Sequence, residues 1–114
     1  MNQGAQLSLI FAELSEPIRI RMRADGWRMP ENTVCVNEGT PWENPYSHHA
    51  MRDRVGAVKW FRALYDYDTE YRDEVVRVLR GKNLACFCPL DGPCHADVLL
   101  EWANTIVDEP QPTP

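Results

Sequence analysis

No stretch of this sequence is apolar for long enough to form a membrane-spanning helix. Its first residues also lack the charged-then-apolar pattern of a signal peptide. A soluble, cytoplasmic protein without membrane contacts is the expectation that follows. Basic charge is short as well: 12 Lys and Arg stand against 17 Asp and Glu, for a net charge of −5. General nucleic-acid binding through phosphate neutralisation is therefore not expected, although a local basic stripe is still compatible with that balance. There is no internal repeat and no second domain. Of the four cysteines, none forms a Cys-x-x-Cys pair. Without an export signal they read as reduced thiols, metal ligands or a reactive Cys rather than a disulfide framework. Cys86 and Cys88, one residue apart on an expected strand, are also poorly placed to bridge each other.

What is present suffices for one folded domain. At 114 residues the chain can bury a core without covalent staples, and four Trp supply bulky material for it. The richest stretch runs from Asn83 to Trp102. Leu84 to Cys88 is a short apolar run suited to a buried central strand. Pro89, Gly92 and Pro93 then force a turn, and Val98, Leu99, Trp102 and Ile106 recur at helical spacing. The unit reads as strand, tight loop, helix. Cys86, Cys88, Cys94 and His95 gather around that loop, where the amides of a helix start would favour an anion.

Upstream, Ile18, Ile20 and Met22 alternate with Arg19, Arg21 and Arg23, the pattern of a strand with one apolar and one basic face. Those arginines read either as wet edge-strand residues that deter pairing or as a basic rim for a phosphate-bearing ligand. Thr33 to Val36 is a second short strand. Cys35 on it could join a metal only if its strand lies beside Cys86 and Cys88. The loop Asn37 to Tyr46 holds Gly, two Pro and two Asn, yet also Trp42 and Tyr46. Trp42, Asn44 and Tyr46 could contact a base-like ring, or the aromatics could simply close the core.

Met51, Val55, Ala57, Val58, Phe61 and Leu64 give an apolar stripe that predicts a helix over 49–65, with His48 and His49 solvated or capping at its start. Asp68 or Thr69 caps a second helix, 68–80, that buries Tyr71, Val75, Val78 and Leu79. Its charges Glu70, Arg72, Asp73, Glu74 and Arg77 form a solvated face, and Gly81 stops it. With strands near 18–23, 33–36 and 83–88 and a last helix over 94–106, the fold class is a small single-domain α/β layer fold with a short, mostly parallel sheet. Residues 18–107 form the domain, 1–17 an arm or short helix, and 108–114 a disordered acidic, proline-rich tail. The long connection between the second and third strands allows a parallel crossover. Loops 37–46 and 89–95 then both leave carboxyl ends of strands, where α/β sites lie, and can face one cleft.

The chemistry of the Cys/His cluster admits three readings. Cys86, Cys88, Cys94 and His95 could be a zinc set, with an unusual spacing for one. Cys94 could be a nucleophile at a helix N-terminus, assisted by His95 or His48. The thiols could instead pack, leaving Cys88, Cys94, His95 and Asp97 as the polar end of a site for a nucleotide-derived small molecule. Asp97 also compensates the helix dipole.

Arg80 to Leu100, Arg-Gly-Lys-Asn-Leu-Ala-Cys-Phe-Cys-Pro-Leu-Asp-Gly-Pro-Cys-His-Ala-Asp-Val-Leu-Leu, resembles the hallmark of a domain family of unknown function, DUF4326, found in phages and bacteria. Gly26 to Pro30 and Thr40 to Tyr46 resemble its upstream Trp-Gly-Asn-Pro-Phe-type loop. The similarity spans about Ile18 to Asn104. It implies a Rossmann-like α/β domain without settling whether it is an enzyme, and it suggests a nucleotide-linked role by analogy of shape alone. Glu43 stands where that loop usually has Gly, and Glu38 where a basic residue is common. Two carboxylates there would weaken any phosphate binding.

Overall fold

The computed structural model describes residues 16–46 and 53–105. The expected N-terminal arm up to residue 15, His48, His49 and Met51, Ile106 of the last expected helix, and the tail 108–114 lie outside the described residues. Six elements follow one another: β1 (Arg19–Arg21), β2 (Thr33–Cys35), α1 (Arg54–Tyr65), α2 (Thr69–Leu79), β3 (Asn83–Cys86) and α3 (His95–Asn104).

Leu84, Ala85 and Cys86 are all buried, so β3 can only be a central strand, covered on both faces. It pairs in parallel with β1 on one side, Arg19 opposite Leu84, and with β2 on the other, Val34 opposite Leu84. The order is β1-β3-β2, and all three strands run parallel. The ladder reaches slightly beyond the strands, through Met22 N–H to Cys86 O at 2.8 Å and Val36 N–H to Ala85 O at 2.9 Å. Two helices in the crossover from β2 to β3 supply the length that a parallel connection requires.

The helices start where short acidic side chains can take up free amides. Asp53 accepts from Val55 N–H at 3.1 Å, and Asp68 accepts from Tyr71 N–H at 3.0 Å. Gly81, at φ 78°, ends α2 in a left-handed conformation that costs glycine little. Phe61 anchors the core. It meets Tyr65 and His95 edge-on and stacks on Trp102, while Val75, Leu79, Val98 and Leu99 fill the space between helices and sheet.

Three expectations change in the folded chain. On α1 the buried stripe is narrower than the pattern suggests: Ala57 and Phe61 are buried, but Val55 is 64 % exposed and Leu64 is exposed too. On α2, Arg72 leaves the solvated face. Its guanidinium lies 4.3 Å from the centre of the Trp102 ring and donates to the Asp66 carbonyl, a stacking gain unavailable in open solvent. On β1 the arginines do not behave alike. Arg21 and Arg23 are exposed, whereas the Arg19 side chain is only 9 % exposed.

Candidate metal centre

Arg19 is buried because it has carbonyls to satisfy. Its Nη2 donates to Pro89 O at 3.2 Å, Leu90 O at 2.9 Å and Gly92 O at 2.7 Å, and Nη1 faces the Asp97 carboxylate at 3.3 Å without the alignment of a hydrogen bond. One guanidinium thus gathers the loop that joins β3 to α3. That loop carries the thiols: Cys86 ends β3, Cys88 sits in the bend beyond it, and Cys94 is the N-cap of α3, its sulfur accepting from Ala96 N–H at 3.5 Å.

The three sulfurs converge. Cys86 Sγ lies 3.3 Å from Cys88 Sγ and 3.2 Å from Cys94 Sγ, and all three atoms fall within 4.8 Å of one another. Cys88 N–H also points at Cys86 Sγ, 3.4 Å away, which fixes the bend. A tetrahedral thiolate site with metal–sulfur bonds of about 2.3 Å has sulfur–sulfur edges of about 3.8 Å. Small side-chain rotations reach that value from the distances present, so the group could hold a metal ion.

Protonation follows from the same contacts. The Cys86 S–H donates to Cys88, which holds the Cys88 thiol far below its usual range. The Cys94 thiol and the Arg19 and Arg54 charges act in the same direction, while burial opposes them. Cys86 is pushed up for the complementary reason: its hydrogen bonds to Cys88 and Cys94 favour the protonated thiol, and it is desolvated. Cys88, the one these contacts favour as thiolate, is also the least buried of the three.

His95 is part of the core more than of the cluster. Its Nε2 lies 2.7 Å from the carbonyl of Val36, an atom that can only accept, so Nε2 carries a proton and donates. Nδ1 faces Cys94 Sγ at 3.7 Å but does not belong to the set of mutually close ligand atoms, which comprises the three cysteines. Asp97 turns away to Arg19. A Cys94–His95–Asp97 relay is accordingly not assembled, and Cys94 is itself buried. Cys35 meets the condition set for it, since β2 lies beside β3. Its cross-strand partner, however, is Ala85, so it shares the sheet face of Ala85 and not that of Cys86.

A cleft of about 120 Å³ opens over the thiols, lined by Asn37, Glu38 and Asn44 from one loop, Arg54 and Val58 from α1, and residues 86–88 and 93–95 at the two ends of the thiol loop. Loops 37–46 and 89–95 do face one cavity, with Asn44 and His95 both on its wall. The aromatic contacts expected there are absent. Trp42 is buried and packs edge-on against Tyr71, while Tyr46 leans on Trp60. Neither lines the cleft. Asn44 is largely committed to the fold: it donates to Ala57 O at 3.1 Å and accepts from Tyr46 N–H at 2.8 Å. Glu43 accepts from Gly39 N–H at 2.8 Å and so serves its own loop, leaving Glu38 as the carboxylate on the cleft.

The family model described as Domain of unknown function (DUF4326) matches residues 19–105, most of the chain. The chain belongs to the DUF4326 family. No curated protein and no solved structure matches it. The matched span of this DUF4326 domain contains every residue of the thiol group together with Arg19 and Arg54. Both arginines matter to the site; the sequence marked Arg19 only as one of three alternating arginines, wet edge or basic rim, and did not mark Arg54. An alternating Arg looks the same whether it stays wet or reaches a loop seventy positions on. Among the described residues no helix is long and apolar enough to cross a membrane.

Proposed function

We propose that this domain is a metal-binding module whose ion is zinc, held by the thiolates of Cys86, Cys88 and Cys94. The observation that carries the reading is the convergence of three sulfurs from three different local structures (strand end, bend and helix N-cap) to within 4.8 Å of one another. Thiolates select soft or borderline ions, and zinc tolerates the tetrahedral arrangement that these distances favour. The ion would tie the end of β3 to the start of α3. Binding would release the protons that the trio otherwise shares, and Arg19 would support the loop that spaces the sulfurs, as groups behind the ligands do.

The test is elemental analysis of protein purified without added metal. Near one zinc per chain is expected, with loss of the zinc in Cys86→Ser and Cys88→Ser. Metal-free wild-type protein that does not take up zinc at micromolar concentration would overturn the reading.

A nucleotide-derived ligand is the second reading, supported by the meeting of loops 37–46 and 89–95 at one cleft. Its support is weaker. The cleft is smaller than the roughly 300–1,000 Å³ of typical small-molecule sites, and Trp42 is spent on the core. A thermal-shift screen of the wild type against nucleosides and nucleotides, with and without chelator, separates the two readings, since a specific hit that survives metal removal would favour the second.

A further inference from the structure

We infer that the fourth coordination position of this centre is open and takes a small oxyanion, a carboxylate or phosphate group, clamped against the metal by Arg54. The inference rests on the metal reading above.

Three observations support it. First, among the described residues three ligand atoms come together and no fourth: the mutually close set consists of the three sulfurs, and His95 Nδ1 faces Cys94 from outside that set while Nε2–H is held by Val36 O. Three protein ligands with one vacant position is the arrangement of sites that exchange a ligand, whereas purely structural zinc is closed by four. Second, the vacancy has somewhere to open. Cys86, Cys88 and Cys94 all line the same cleft, and its volume of about 120 Å³ is several times the roughly 30 Å³ share of one water molecule. Third, the cleft has an uncommitted cation. Arg54, in the first turn of α1, lies over the loop, its Nη1 3.6 Å from the point where a Cβ on Gly92 would stand, and it enters no ion pair or hydrogen bond among the described residues. A planar guanidinium beside a metal matches a two-oxygen ligand, one oxygen for each partner.

The buried Arg19 is already engaged with carbonyls and Asp97, so Arg54 is the guanidinium on the cleft wall that an incoming oxyanion meets. The internal competitor is Glu38, whose carboxylate belongs to the same chemical class and lies on the same cleft.

The experiment uses the full chain loaded with cobalt(II) in place of zinc, so that the visible bands report the coordination sphere and the sulfur-to-cobalt charge-transfer bands report the thiolates. Addition of acetate, and separately of inorganic phosphate, is expected to change the visible bands saturably. Arg54→Ala is expected to weaken the response roughly tenfold, the loss of one charge-assisted contact, with cobalt stoichiometry and charge-transfer intensity unchanged. Visible bands insensitive to both anions, in protein that binds cobalt through three thiolates, would overturn the open position. So would bands that respond only after Glu38→Gln or His95→Gln, because the chain's own side chain would then be the fourth ligand. Failure to take up cobalt at all would instead overturn the metal centre itself.

Discussion

At the scale of single residues, the site depends most on Arg19. A guanidinium that is nine-tenths buried and bonded to three carbonyls cannot be shortened without leaving those carbonyls unpaired. Arg19→Ala is expected to destabilise the domain by about 2–4 kcal/mol, read by urea unfolding, and to weaken zinc binding by loosening the spacing between Cys88 and Cys94. Arg19→Lys should recover only part of this, because one ammonium cannot span the positions that a planar fork reaches. Equal stability of wild type and Arg19→Ala would remove the latch from the account. Cys88 differs from its neighbours in access: Cys86 and Cys94 are each 2 % exposed, while Cys88 is partly exposed at the cleft. Brief iodoacetamide treatment of metal-free protein, followed by peptide mass mapping, should label Cys88 before either of the other two. Faster labelling of Cys94 would contradict the geometry described above and restore the helix-terminal nucleophile.

At the scale of elements, α3 carries two separable contributions, its cap and its cross-link to α1. Serine is a stronger N-cap than cysteine, so Cys94→Ser should leave the metal-free protein at least as stable as wild type while abolishing the stabilisation that zinc confers. A plain thermal scan with and without chelator checks both halves. The link between α1 and α3 is the Arg62–Glu101 pair, bidentate at 2.8 and 3.0 Å. Hydrogen bonding to Arg62 holds the Glu101 carboxyl below its usual value, with burial opposing. A carboxyl depressed in the folded state stabilises above its unfolded value, and that contribution fades as pH falls through the depressed one. The pair is about half exposed, so its contribution is that of a surface salt bridge, roughly 0.2–1 kcal/mol. Wild type should exceed Glu101→Gln by that margin near neutral pH, and the two should converge in acid below the depressed value. A difference that persists there would assign the effect to packing instead.

At the scale of the whole molecule, the sheet and helices close a core that Cys86 and Cys94 join but that large apolar side chains dominate. Phe61, Leu79, Leu84 and Leu99 are fully buried in contact with it. Zinc should therefore be a stabiliser and not a condition of folding, in contrast to zinc fingers. Chelation is expected to lower Tm by about 10 °C, the equivalent of roughly 2 kcal/mol in a domain of this size, while far-ultraviolet circular dichroism below the transition stays native. Collapse of the secondary structure on chelation would show that the metal does more than the core.

Local order was readable from the chain because its causes lie within a few residues: a β-branched or apolar run for each strand, a 3.6-residue period for each helix, and Asp68 and Gly81 as start and stop marks, whereas the Asp53 cap was missed and the first helix expected from 49. Leu84 to Cys86 could only be central, and the Pro and Gly of the 89–93 loop could only turn, so the clustering of Cys86, Cys88 and Cys94 around that loop was legible too. What the thiols face was not. Trp42 reads equally as a ligand platform or as core until Tyr71 is beside it, and Arg19, His95 and Asn44 acquire their partners from 70, 59 and 13 positions away. Propensity and period act along the chain, whereas hydrogen-bond partners and buried charges are settled by which surfaces the sheet order β1-β3-β2 presses together. The elements and the thiol loop were thus determined by the sequence itself. Which side chains close the cleft, and the absence of a fourth ligand among the described residues, were decided by packing.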